Sequence, residues 1–317
     1  MELIADVVRV DFGGCLLMRD DGTIAEASAR GKLMGPRKSL GNTVVVGDRV
    51  HCALEGERVL IEEVVPRLNA FSRRAPGNHP EEQVVAANLD QVVCVASVAE
   101  PEFKAGFADR VLSQAQHLGI PVVLALTKVD LANAAEAEAL LGDYRRAGFT
   151  VHAISAHTGA GVEEMREASR GRRSLFVGHS GVGKSTLLNA LVPGLELLAG
   201  VVNAKTQKGR HTTTAAWLVR PERGFDLIDT PGVRAFGLWG VGSSNIDQTY
   251  PDFRPHLGHC RFADCRHLKE PGCAVRAAVG HDIAPRRFES FLKLREELER
   301  EESHEIERVR ANTRYRR

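Results

Sequence analysis

Past the middle of the chain runs Gly178-His179-Ser180-Gly181-Val182-Gly183-Lys184-Ser185, followed by Thr186. This fits Gly-x-x-x-x-Gly-Lys-[Ser/Thr], with an apolar strand (Ser174 to Val177) before it and an amphipathic helix after it. These residue types at this spacing suit phosphate binding. Glycines let backbone N–H groups turn inward around an anion, and a helix N-terminus adds positive potential. Lys184 reaches the outer phosphates and Ser185 ligates Mg2+. Farther on, Asp226 to Val233 reads DLIDTPGV, an apolar strand ending in Asp229 and then a turn at Gly232. An acid at a strand's carboxyl end holds a metal through water, and a glycine N–H meets a γ-phosphate. Between the two lies NAKTQKGRHTTT (Asn203 to Thr214), polar, with three bases and no acid. It can carry a threonine to the metal; Thr212 and Thr213 are the candidates, Thr213 preferred.

Two further stretches select the base. LALTKVDL (Leu124 to Leu131) places Thr127, Lys128, Val129 and Asp130 just after a strand. A carboxylate there accepts two hydrogen bonds from guanine N1–H and the 2-amino group. Adenine lacks that donor pair and leaves the acceptor unpaired. The Lys128 stem packs over the base. In ISAHTG (Ile154 to Gly159), Ser155 and Ala156 follow another strand, and a backbone N–H near Ala156 meets the guanine carbonyl. With the phosphate loop these stretches specify GTP hydrolysis. The usual order puts the phosphate loop first and the guanine motifs last; here the guanine motifs come first. Moving the chain break to another exposed loop preserves sheet neighbours, so the site is whole and circularly permuted. In GTPases of the Ras type a glutamine after Asp-x-x-Gly orients the attacking water. Val233 holds that place and cannot. His211, in the switch loop, is the nearest polar candidate, because a neutral imidazole positions a water at pH 7. The catalytic set is thus His211, Lys184 and Thr213.

Cys260, Cys265, His267 and Cys273 supply three thiols and an imidazole within a short span, with His256 and His259 as rival imidazoles. Four such ligands suit a closed tetrahedral Zn2+ site of structural type. No His-x-Glu precedes the cysteines, against a zinc deaminase. Cys15, Cys52 and Cys94 sit among apolar neighbours and read as buried thiols.

These residues need strands and helices to position them. At 317 residues, one to three domains are expected. Apolar residues make up 43% and charged ones 26%, enough for ordinary cores and a charged surface. A net charge of +1 confines any nucleic-acid surface to local patches. Those patches are Arg30 to Lys38, Arg67 to Arg74 and the tail RANTRYRR. No run is long and apolar enough to cross a bilayer, and MELIADVVRVD lacks a basic leader, so a cytoplasmic location and no membrane partner are expected. Residues 1–66 (LIADVVRV, CLLMR, TVVV, DRVHCAL, with a hairpin turn at Asp21-Gly22) read as an OB-like β-barrel. Residues 67–82 read as a linker opening an α/β unit, 67–242, whose strands and helices alternate around a largely parallel sheet. A helical zinc-binding unit, 243–317, closes the chain, with a charged helix from Arg287 to about Arg310.

The chain resembles the circularly permuted GTPases of small ribosomal subunit biogenesis, the RsgA (YjeQ) family. The likeness spans nearly all of it: VVVGDRV in the barrel, the permuted order, GRHTTT, DTPGVRAFGLW and the metal cluster. The resemblance favours His267 as the fourth zinc ligand. It implies GTP and GDP as nucleotides, Mg2+, one structural Zn2+, and a monomer whose barrel and zinc unit grip 16S rRNA of the 30S subunit. It implies a checkpoint in late 30S maturation, with GTP-bound protein on the particle and hydrolysis releasing it. Thr127 departs from the asparagine commoner in the guanine motif and loses an amide that ties the base pocket to the phosphate loop. Rival readings are a nucleotide-gated RNA-binding protein with incidental hydrolysis, or a GTPase acting on another RNA.

Overall fold

The computed structural model describes residues 2–11, 14–33, 42–56, 58–77, 80–195, 216–221, 224–232 and 236–315. The chain opens with β1 (Glu2–Asp11), β2 (Gly14–Arg19), β3 (Ile24–Ala29), β4 (Arg49–Glu55) and β5 (Arg58–Val64). They run in the order β1-β2-β3-β5-β4, and β4 returns to β1, closing a five-stranded barrel. Only β3 and β5 pair in parallel. Alternate residues such as Ala5, Val7, Leu17, Val50 and Ile61 fill the interior. The Asp21-Gly22 turn joins β2 to β3, with Gly22 at φ +82° and the Thr23 N–H donating to Asp21 Oδ1 at 2.9 Å. TVVV is not a strand. Its valines are buried, but Asp48 accepts the Val45 N–H at 2.8 Å and folds the segment into a turn. Gly47, at φ +89°, lies so close to the Ala87 carbonyl that a Cβ would sit 2.3 Å from its oxygen.

Residues 67–82 are not a plain linker. They carry β6 (Ala70–Arg74), which pairs antiparallel with β7 (Glu82–Ala87). The hairpin is fastened by Phe71, fully buried, its ring 5.7 Å from that of Phe236. One apolar anchor beside Arg73 and Arg74 gives no visible alternation, which is why the pattern misses it.

The apolar runs become β8 (Gln91–Ser97), β9 (Val122–Thr127), β10 (Thr150–Ala153), β11 (Arg173–Gly178) and β13 (Asp226–Asp229). They form a parallel array in the order β10-β9-β8-β11-β13, and β12 (Trp217–Val219) adds antiparallel. Strands buried on both faces need helices on both. On one face Val92, Cys94 and Leu124 pack with residues of α1 (Ala105–His117) and α2 (Ala134–Arg146). On the other, Val93, Val95 and Phe176 meet α3 (Val162–Ser169) and α4 (Lys184–Leu191). β12 also pairs with β1, through Arg9 and Trp217, so this sheet continues into the barrel wall.

A third core of Ile246, Tyr250, Phe253, Val275 and Phe291 gathers α5 (Ala274–Ala277) and α6 (Pro285–Tyr315). The charged helix is longer than expected and begins at a proline, as helix starts tolerate. Its Phe291, Leu294 and Leu298 are buried, so it is amphipathic rather than solvated all round. No helix among the described residues is long and apolar enough to cross a membrane.

Candidate nucleotide site and metal centre

β11 delivers Gly178 at its carboxyl end, and α4 starts at Lys184, so the phosphate loop bridges strand and helix. Gly181 and Gly183 both have φ of +84°, a backbone that side chains resist. A Cβ on Gly178 would lie 2.8 Å from the Val95 carbonyl oxygen. Gly232 comes against the same loop, for a Cβ there would lie 3.2 Å from Ser180 Cα. The turn carrying it is fixed by the Thr230 hydroxyl, which donates to the Phe176 carbonyl at 2.8 Å. Lys184 pairs with Asp229 Oδ1, and both residues are buried. Ser185 and Thr186 are exposed in the first turn of α4. His179 packs edge-on against Phe107 of α1, at 5.8 Å, and Val182 is buried.

The base motif stands beside this loop. The Thr127 hydroxyl lies 3.1 Å from the Ala96 carbonyl and against that of Val182, so its one proton serves either. The hydroxyl thereby takes over the phosphate-loop tie expected to be lost with the amide. Lys128, at φ +59°, extends Nζ to the Gly181 carbonyl at 2.9 Å and also to that of Glu100. Its stem thus crosses the loop. The Val129 N–H reaches the Ile154 carbonyl at 3.3 Å, joining the two guanine stretches. Asp130 is exposed, and the Ser155 hydroxyl beside it holds its carboxyl below the usual carboxylate range. Ser155 is itself buried, and its oxygen accepts the Thr158 N–H at 3.1 Å; Ala156 next to it is half-buried. His211, Thr212, Thr213 and Val233 lie outside the described residues.

In the third unit, the ligand atoms of Cys260, Cys265, His267 and Cys273 all lie within 4.8 Å of one another. Three sulfurs and an imidazole at such spacing fit a tetrahedral zinc ion. His267 Nδ1 faces inward, 3.3 Å from Cys273 Sγ and 3.6 Å from Cys260 Sγ. Its Nε2 faces Asp247 Oδ2 at 3.3 Å, the outer carboxylate that fixes a ligating histidine's tautomer. Asp247 went unseen in the sequence because outer partners obey no ligand spacing. His256 instead lies 3.4 Å from Asp282.

The basic patches fare unevenly. Arg67 forks onto buried Asp48 at 2.7 and 2.8 Å and also bonds the carbonyls of Asn42 and Thr43. Arg74 pairs with Glu301 of α6. Arg67 and Arg74 are thus engaged within the protein, and Arg73 of the same stretch bonds Gln83 at 3.0 Å. Arg30 pairs with Glu55 and Glu62, each at 2.9 Å, while residues 34–38 of its stretch lie outside the described residues.

A model of the RsgA GTPase family matches residues 64–239. The chain is 42% identical over 283 residues to the small ribosomal subunit biogenesis GTPase RsgA of Gemmatimonas aurantiaca, spanning 88% of this chain and 92% of that protein. It is 40% identical over 288 residues to the protein of the same name from Bacteroides fragilis, with the same shares. The crystal structure of YjeQ from Thermotoga maritima matches with a TM-score of 0.74 at 29% identity, covering 94% of this chain and 99% of that one. YloQ, a circularly permuted GTPase, shares the fold, with a TM-score of 0.69 at 24% identity over 94% of this chain and 96% of its own. Phosphate loop, Asp-x-x-Gly and guanine motif meet at the carboxyl end of one sheet in permuted chain order, and the chain belongs to the RsgA GTPase family of GTP-hydrolysing enzymes.

Proposed function

We propose that this GTPase is a late maturation and checkpoint factor of the small ribosomal subunit, that it binds 16S rRNA, and that the 30S subunit stimulates its hydrolysis of GTP to GDP and phosphate. The observation that carries the reading is the convergence of Lys184, Asp229, Gly232, Thr127 and Lys128 on one phosphate loop. The names of its relatives, small ribosomal subunit biogenesis GTPases, support the partner.

The loop N–H groups from Gly178 to Ser185 cradle the phosphates, and Lys184 neutralises the outer two. Asp130 accepts from the guanine edge, Ser155 orients Asp130, and the Ala156 N–H meets the guanine carbonyl. Ser185 and Thr213 would ligate Mg2+, and Asp229 would hold it through water; the exposed Ser185 hydroxyl and the Asp229 carboxylate fit that ion. When bound, Mg2+ neutralises charge developing on the phosphates. His211 orients the attacking water in place of the missing glutamine. Cys260, Cys265, His267 and Cys273 would hold a structural Zn2+, supplying all four of its ligands. The chain works in the cytoplasm as a monomer of three parts, a barrel (1–66), a permuted GTPase (67–242) and a zinc unit (243–317).

Crosslinking the bound RNA in cells tests the partner. Recovery of 16S rRNA is expected; recovery of tRNA or mRNA alone would overturn the ribosomal reading.

A further inference from the structure

We propose that Trp217 is a positioning residue for Asp229, holding its carboxylate in the orientation that receives the hydrated magnesium ion. The proposal rests on the reading of Asp229 as the carboxylate that holds this ion through water. Trp217 opens β12 and stands directly opposite Asp229 in the antiparallel register with β13. Directly opposed residues project from the same face of a sheet, so the two side chains are neighbours. The indole Nε1–H donates to Asp229 Oδ2 at 3.3 Å, while Lys184 occupies Oδ1. Each carboxylate oxygen therefore has its own donor, and the group cannot turn about its last bond without breaking one.

The indole suits this part because it donates and never accepts. It neither ligates a cation nor competes for the protons of a metal-bound water. Its ring packs against the apolar cluster that includes Phe176, Leu187 and Leu227. Its backbone stands between two strands, paired with Asp229 on one side and with Arg9 of the barrel on the other. The donor is thus held by both the sheet and the barrel. Partners of a metal's direct ligands commonly change its affinity by about 10–100-fold when removed, and Trp217 acts one step farther out, so a smaller change is expected.

The test follows release of a fluorescent GDP analogue from full-length protein as Mg2+ is titrated. Trp217→Phe keeps a ring and deletes the donor. It is expected to raise the Mg2+ concentration at half-effect severalfold, up to about tenfold. GDP affinity in excess chelator and the melting temperature should stay near wild type. Asp229→Asn is run beside it. A wild-type midpoint for Asp229→Asn would overturn the reading of Asp229 itself. A raised midpoint for Asp229→Asn with a wild-type midpoint for Trp217→Phe would overturn the positioning role alone. A measurement that needs no change at Trp217 is the indole N–H resonance of the 15N-labelled GDP complex, told from that of Trp239 by Trp239→Phe. Mg2+ should shift the Trp217 resonance, and an unmoved resonance would overturn the proposal.

Discussion

In the proposed base pocket Asp130 would meet guanine as a carboxylate, the form that the Ser155 hydroxyl favours. The Ser155 hydroxyl holds its carboxyl below the ordinary aspartate range, so the charged form is fully present above that range and is lost only as pH falls through the depressed value. The preference for GTP over ATP should therefore stay constant between about pH 5 and pH 8; a competition assay showing a decline toward pH 5 would contradict it. Asp130→Asn turns one acceptor into a donor facing donors and should weaken GTP binding by at least about tenfold, measured by calorimetry. Equal affinities would remove Asp130 from the base pocket. His211→Ala should leave GTP binding intact and lose most of the 30S-stimulated rate; a wild-type stimulated rate would show that another group orients the water. Motif residues were legible because phosphate and guanine recognition demand fixed types at fixed spacings. Asp247 and Trp217 were not, since each acts through a partner that only the fold brings near.

Arg287 joins elements that the sequence keeps far apart. It lies in the first turn of α6, is fully buried, and pairs with Asp109 of α1 and, at 2.7 Å, with Asp252 ahead of the Cys/His cluster. Its guanidinium also lies over the rings of Tyr144, Phe149 and Tyr250, at 5.2, 5.2 and 4.6 Å. Arg287→Met would strand two buried carboxylates and should destabilise the protein by about 3–5 kcal/mol, read from denaturant unfolding. A loss under about 1 kcal/mol would show that the acids find other partners or protonate freely. Zinc removal should act on the same unit. Chelation should speed hydrogen exchange mainly in residues 245–317, because metal binding there is folding free energy; metal-free protein with unchanged exchange would contradict the cluster's structural role. The strands and helices of the central sheet were legible from apolar runs and helical periodicity. The β6–β7 hairpin was not, resting on one buried Phe71, and TVVV misled because Gly47 and Asp48 bend an apolar run into a turn.

On the scale of the molecule, elements around the nucleotide site join both neighbouring units, with α1 paired to α6 through Arg110 and Glu297 and through Asp109 and Arg287. The sheet that carries it runs through β12 into β1 of the barrel. At the far end of the strands from the phosphate loop, a cleft of about 610 Å³ is lined by Asp6, Arg49, Arg173, Arg220 and Asp226. Arg220 bridges Asp6 and Asp226 at 2.8 and 2.9 Å there, fastening barrel to GTPase by charge. Within the GTPase unit, Gln114 of α1 bonds both the N–H and the carbonyl of Trp239, at 2.8 and 3.0 Å, soon after Asp-x-x-Gly. In the reading proposed here, the small ribosomal subunit would engage the barrel and the Cys/His-bearing unit together. The decisive measurement is the steady-state rate of GTP hydrolysis by the full-length protein, alone and with purified 30S or 50S subunits. A slow free enzyme is expected, accelerated by orders of magnitude by 30S subunits and not by 50S subunits. A rate unchanged by 30S subunits, or raised equally by 50S subunits, would contradict it.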